Sequence, residues 1–180
     1  MMEENGLADR HADISAMSKS IEAVQAGIVE MLPRLRRFAR ALARSPHDGD
    51  DLVQTAVERA LARCDQLHAD ATLAPWLFGI LRNAWIDEVR ARNRQERLFA
   101  PEELGAEIGD AGGGAHEQIL SVQESMSRLP EEQRSAVALV LIEGLSYKEA
   151  AAAMGVPIGT LTSRLARGRE ALQALLCDAI

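Results

Sequence analysis

Thr160, Ser163, Arg164 and Arg167 set two hydroxyls and two guanidinium groups at intervals that bring them to one side of a helix. That is chemistry for a DNA groove. A guanidinium fork pairs with a guanine edge or a phosphate, and a hydroxyl pairs with either. Ser146 and Tyr147, at the start of the helix before, are placed to donate to a phosphate.

Patterns for covalent chemistry fail on spacing. "HDGDD" (47–51) opens like a calcium loop but lacks the downstream bidentate acid, which leaves a helix-capping turn. "GDAGGGA" (109–115) has no Gly-Lys-Ser/Thr after it and no strand before it, so it is no phosphate cradle. His11, His47, His68 and His116 are scattered, without a Cys or carboxylate at catalytic or metal-binding spacing. The sequence therefore predicts no catalytic residue, no metal site and no cofactor. Cys64 and Cys177 stand far apart with no second Cys near either, which indicates neither a disulfide framework nor a zinc knuckle and predicts two small buried thiols in a reducing cytosol.

The elements that position these groups are helical. Apolar residues make up 47% of the 180 positions and aromatics 3%, with Ala, Leu, Arg and Glu abundant, so an all-α fold is expected. Ile21, Val24, Ile28, Met31, Leu32, Leu35, Phe38 and Leu42 recur at threes and fours, which predicts a first helix over 21–44, adjusted around Pro33. "SPHDGDD" breaks it, with Asp50 as N-cap of a second helix to Cys64. That helix buries Leu52, Val53, Ala56, Val57, Ala60 and Leu61 and presents Asp51, Gln54, Thr55 and Glu58 outward. Pro75 opens a third helix over 76–94, where Leu77, Ile80, Leu81, Ala84, Trp85 and Val89 face in. Arg82, Asn83, Arg90, Asn93 and Arg94 then share an outward arc of roughly 120°.

After a further helix over 117–128, Pro130 starts the next, which carries an apolar face over 133–142. Gly144 stops it, Ser146 and Glu149 form a capping box, and Gly155 ends the following helix. The last helix starts near Gly159 with Leu161, Leu165, Gly168, Leu172 and Leu175 inward, so that "MGVP" (154–157) joins a helix-turn-helix pair.

Charge is segregated along this chain of net charge −7. Residues 34–44 hold five arginines and no acid, 82–97 hold five arginines and three acids, and 102–124 hold six acids and no base. Four domains or segments follow: a mobile amino-terminal tail over 1–20, a first helical domain over 21–98, a flexible acidic linker over 99–116, and a second helical domain over 117–180. No run of 18 apolar residues or secretory order of charge and apolarity is present, which predicts a cytoplasmic protein without membrane insertion.

Three motifs in this order, "DGDDLVQTAVERAL", "APWLFGILRNAWIDEVRARNR" and "LPEEQRSAVALVLIEGLSYKEAAAAMGVPIGTLTSRLARGREAL", resemble an extracytoplasmic-function (group IV, sigma-70 family) sigma factor of bacterial RNA polymerase over about residues 21–180. The resemblance implies a region 2 domain, a variable linker and a region 4 domain. It implies that Asp51, Gln54, Thr55 and Glu58 dock the clamp of the polymerase's largest subunit, with the flap as a further contact. The loop 66–74 would capture a base flipped from the −10 element. Arg82, Asn83, Arg90, Asn93 and Arg94 would lie along the −10 duplex and the displaced strand. Ser146, Tyr147, Thr160, Ser163, Arg164 and Arg167 would read the −35 element.

Core RNA polymerase, promoter DNA and an anti-sigma factor active in a stress response are the partners implied. Two departures stand out: Thr162 occupies a position where many relatives carry Lys or Arg, and "TAVERA" (55–60) lacks the usual aromatic.

Two other readings use parts of the same residues: a stand-alone helix-turn-helix regulator working as a dimer, and a sigma-like decoy that titrates an anti-sigma factor. The acidic balance favours the subunit. Sequence-specific DNA binding draws heavily on phosphate contacts, so a chain of net charge −7 gains from a larger enzyme that supplies them.

Overall fold

The computed structural model describes residues 4–43, 45–67, 72–99 and 122–177. Among them seven α-helices occur and no strand: α1 (Glu4–Leu42), α2 (Pro46–Leu61), α3 (Leu73–Phe99), α4 (Val122–Arg128), α5 (Glu131–Val137), α6 (Tyr147–Met154) and α7 (Ile158–Cys177). A short 3₁₀ turn (Cys64–Gln66) follows α2, and a π-helical turn (Ala138–Ile142) extends α5. The all-α expectation is met.

Helix α1 begins at Glu4, well ahead of the apolar stripe that marks its start in sequence. Residues 4–20 lack the stripe but contain Ala, Met, Glu and Lys and no proline, so the helix can propagate through them. The backbone of this stretch is helical where a tail without helical periodicity was expected. Pro33 does not end α1: it is exposed, and Val29, whose carbonyl loses its partner, is 64% exposed, so water can serve that carbonyl.

Helix α2 starts four residues before Asp50. Ser45 is its N-cap, with its hydroxyl accepting from the Asp48 amide at 3.1 Å, and Pro46 fills the first turn, where a missing N–H costs nothing. The turn expected at "SPHDGDD" is therefore a helix start. Gly49 lies inside it because α1 passes close by: a Cβ there would come within 3.4 Å of the Arg40 backbone nitrogen.

Leu52, Val53, Ala56 and Ala60 are buried as the sequence predicts, while Leu61, at the end of the helix, is 42% exposed. Helix α3 runs farther in both directions than 76–94. It buries Leu77, Ile80, Leu81, Ala84 and Trp85.

Phe38 of α1 and Phe78 of α3 meet edge to face, with ring centroids 5.2 Å apart and planes at 81°, and both are fully buried. Leu35, Leu42, Leu52, Leu77 and Leu81 are buried in the same apolar cluster. The second half is built on Val137, Leu139, Met154, Leu161 and Leu165. Gly168 lets α7 lie on α5, since a Cβ there would come 3.2 Å from the Gln133 carbonyl oxygen.

The two halves touch directly. A Cβ on Gly79 of α3 would lie 3.1 Å from the Ala153 carbonyl oxygen of α6, and the buried apolar residues of both halves form a single cluster.

Both cysteines are free thiols. Cys64 is half-buried and Cys177 exposed, which corrects the expectation of two buried thiols; Cys64 opens the 3₁₀ turn after α2 and Cys177 is the last residue of α7. Among the described residues no helix is long and apolar enough to cross a membrane, and no group of three metal-ligating side chains occurs.

Candidate nucleic-acid interface

The helix-turn-helix pair follows from three local decisions. Ser146 caps α6: its hydroxyl accepts from the Glu149 amide at 3.3 Å, and the Glu149 carboxylate accepts from the Ser146 amide at 2.9 Å and from the Ser146 hydroxyl at 2.6 Å. These bonds hold the Glu149 carboxyl below the usual carboxylate range. Gly155, at φ 64°, closes α6 in the left-handed region, and Pro157 leads into α7 at Ile158. Leu161, Leu165 and Gly168 then face the core and orient the rest of α7.

That orientation leaves Ser163 and Arg167 exposed and Thr160 half-exposed, while Tyr147, at the start of α6, is 46% exposed. The Ser163 hydroxyl donates to the Thr160 carbonyl at 2.9 Å, and the Thr162 hydroxyl donates to the Ile158 carbonyl at 2.9 Å. Arg164 differs from its neighbours: its side chain is 21% exposed, it pairs with Glu132 of α5, and its Nη1 is buried without a hydrogen-bond partner. Ser146, expected to meet a phosphate, has its hydroxyl engaged in the capping box.

The basic face of α3 is divided. Asn83, Arg90, Asn93 and Arg94 are exposed, as their helical positions predict. Arg82 is not: it is 7% exposed, Nη1 donates to the Met154 carbonyl of α6 at 3.4 Å, and Nε has no hydrogen-bond partner. Burial lowers its guanidinium pKa; Glu131 and Glu132 oppose the shift, and Arg164 adds to it.

The outward expectation for Arg82 is thus corrected. Its position does point away from the core of its own half, but α6 covers that face. The −10 and −35 candidates Arg82 and Arg164 consequently both feel Glu132 of α5.

The acid and amide face of α2 is open. Asp51 lies 3.1 Å from His47 Nδ1, Gln54 donates to Glu58 at 3.0 Å, and Thr55 is half-buried. Asp51 and Thr55 line a polar cleft between α2 and α3 with Asp48, Arg59, Asp87 and Glu88, and Arg59 pairs with Asp87 at 2.8 Å. Arg94 lines the same cleft, so the basic stripe and the acid face meet at its edge. Of the loop 66–74, residues 68–71 lie outside the described residues, as does the linker from 100 to 116.

Periodicity missed Glu143. Its side chain is fully buried between two arginines of α1: Arg34 Nε donates to Oε2 at 3.2 Å, and Arg37 donates to Oε1 at 3.3 Å and Oε2 at 3.2 Å. Arg34 Nη2 also donates to the Glu143 carbonyl at 2.6 Å. The available signal was an acid ending an apolar run, in a chain whose 34–44 block holds five arginines without an acid of its own.

Comparison with known proteins agrees with this organisation. Residues 28–82 match the family described as the Sigma2 domain of PhyR, and residues 119–172 match the family described as Sigma-70, region 4. The ECF RNA polymerase sigma factor EcfG of Rhodopseudomonas palustris (strain TIE-1) is 37% identical over 149 residues, which cover 83% of this chain and 82% of that one.

Two solved structures share the fold. The sigma factor RpoE, in complex with the anti-sigma factor NepR from Bartonella quintana, is 34% identical with a TM-score of 0.70, over 84% of this chain and 95% of that one. CnrH in complex with the cytosolic domain of CnrY is 26% identical with a TM-score of 0.66, over 95% of this chain and 98% of that one.

Proposed function

Because the chain belongs to the extracytoplasmic-function sigma factors of bacterial RNA polymerase, we propose that its two helical halves divide promoter recognition in the way their exposed faces allow. The first half, over 21–98, docks the polymerase clamp through Asp51, Gln54, Thr55 and Glu58, and lays the −10 strand along Asn83, Arg90, Asn93 and Arg94, with Arg82 joining them when uncovered. The second half, over 117–180, reads the −35 element through Tyr147, Thr160, Ser163, Arg164 and Arg167. Residues 1–20 lie outside this division, and the acidic segment over 99–116 joins the halves.

The observation that carries the reading is the α7 face. Ser163 and Arg167 stand exposed on a helix whose opposite side is fixed by Leu161, Leu165 and Gly168, so their spacing is rigid before DNA arrives. The acidic surface of α2 complements a basic enzyme and disfavours free DNA, which leaves phosphate affinity to the larger partner.

The sigma factor RpoE crystallises in complex with the anti-sigma factor NepR. This chain carries the same two units, and we assign it a comparable inhibitor and a cytoplasmic site of action. Run-off transcription with purified core polymerase tests the reading: promoter-specific transcript is expected only when both proteins are present. A gel shift of equal strength without the enzyme would instead support a stand-alone regulator.

The decoy reading is favoured by Thr162, whose hydroxyl is turned back to the Ile158 carbonyl where many relatives offer a cation. A chain that captures an anti-sigma factor but yields no transcript would establish it.

A further inference from the structure

The candidate readers of two separate DNA elements touch each other here. Arg82 of α3 donates to the Met154 carbonyl at the end of α6, one turn before the α7 reading helix. Elements named −10 and −35 lie about 25 base pairs apart, some 85 Å of duplex at about 3.4 Å per pair. No single arrangement with α3 against α6 spans that distance. Promoter reading therefore requires the two halves to separate.

We propose that the described arrangement is a closed, inactive state of the chain, latched by Glu143 between Arg34 and Arg37, and that opening this latch exposes Arg82 for DNA. The proposal rests on the sigma-factor reading for its meaning and on the contacts alone for its existence.

Three features mark the contact as a latch. The Glu143 carboxylate is fully buried and its ion-pair partners both come from α1, so closure neutralises an acid that the second half would otherwise present to solvent. Arg34 and Arg37 remain 33% and 54% exposed, which gives water a route to the pair as it opens. Arg134 of α5 extends the contact by donating to the Leu42 carbonyl, at the end of α1 where helical carbonyls lack internal partners, at 2.7 Å.

The close approach of α3 to α6 has its own requirement, because Gly79 is where the backbone of Ala153 comes nearest. The device is thus ionic at one end and steric at the other, and Arg82 lies beneath it.

The test reads Arg82 directly in the full-length chain. Phenylglyoxal modification followed by peptide mass spectrometry compares buried Arg82 with exposed Arg90. If the closed state dominates, Arg82 reacts at least about tenfold more slowly than Arg90. Arg34→Glu with Arg37→Glu should bring the two rates within about twofold, and adding Glu143→Arg should restore protection.

Gly79→Val opens the contact from the other end without touching the ion pairs, and circular dichroism verifies that both variants keep their helix content. In a binding assay, Gly79→Val should raise affinity for core polymerase, since less of the free chain is closed.

Equal reactivity of Arg82 and Arg90 in the parent chain, or protection unchanged in both opened variants, overturns the latch. Release of Arg82 with unchanged polymerase affinity overturns its role as an off-state. Failure of the sigma reading shows up elsewhere: no transcript from any variant, even where Arg82 protection responds as expected.

Discussion

The basic faces of α3 and α7 are built alike and treated differently. Each sets arginines and small polar groups on the side of a helix away from its own half's core. On α7 the face stays open apart from Arg164, which leans on Glu132, whereas on α3 the amino-terminal member, Arg82, is covered by α6 while Arg90 and Arg94 remain in water. Helical position decides only which way a side chain points from its own core. Whether it meets solvent depends on what the other half places there.

The largest effect expected from breaking this comparison lies beneath both faces. Phe38→Ala deletes one ring of the edge-to-face pair that seats α3 on α1, and a fully buried Phe replaced by Ala costs about 3–5 kcal/mol. Leu161→Ala should remove about 2–5 kcal/mol from the seat of α7. Urea unfolding measures both. A loss under about 1 kcal/mol at either site would mean that the helix bearing the face is not held by the core described.

Next come the faces themselves. Arg167→Ala removes an exposed guanidinium and should weaken −35-dependent transcription by about 1–3 kcal/mol if it contacts a base, with chain stability unchanged. Arg164→Ala should add a comparable loss and also remove a side chain that is only 21% exposed together with its pairing to Glu132, so thermal melting separates the two arginines. Transcription from −35-containing promoters that survives both substitutions would remove α7 from DNA reading.

On α3 the contrast is sharper. Arg90→Ala should reduce the salt slope of promoter-complex formation by about one and leave melting unchanged, as for a solvated phosphate contact. Arg82→Ala should lower stability by about 1 kcal/mol as well, because its stem packs between α3 and α6. Equal melting of the two variants would contradict the burial of Arg82.

Most of the architecture was legible because it is local. Alternation at threes and fours marks α1, α2, α3 and α7, and the Ser146 to Glu149 spacing and Gly155 set the limits of α6 from sequence alone. The starts of α1 and α2 were not legible. Residues 4–20 hold helix formers without an apolar stripe, and Ser45 with Pro46 caps α2 where Asp50 was the more conventional candidate.

The burial of Arg82 and Glu143 could not be read at all from periodicity. Both depend on contacts across 72 and more than 100 residues of sequence, which no helical window includes.

The smallest effect sharpens the α6 side of the comparison and carries a pH signature. Ser146 and Glu149 satisfy each other's backbone amides at the start of α6, and the Ser146 hydroxyl and then its amide, both donating to the carboxylate, favour its ionised form and hold the Glu149 pKa below the ordinary carboxylate value. A group whose pKa is lower folded than unfolded contributes its stability above the unfolded value and loses it as pH falls through the folded one. The box should therefore be at full strength at neutral pH and fade only in the acid range below the usual carboxylate pKa.

Ser146→Ala should cost about 1 kcal/mol at neutral pH and somewhat less as acid protonates Glu149, because the parent then loses the favourable hydroxyl-to-carboxylate bond while keeping the bond from the Glu149 amide to the Ser146 hydroxyl. Glu149→Gln should flatten that part of the acid stability profile without changing which face of α6 meets α3. A Ser146→Ala deficit that stays constant from neutral pH down through the carboxylate range would mean that the hydroxyl acts without the carboxylate, and that α6 is started by its backbone and by α3 alone.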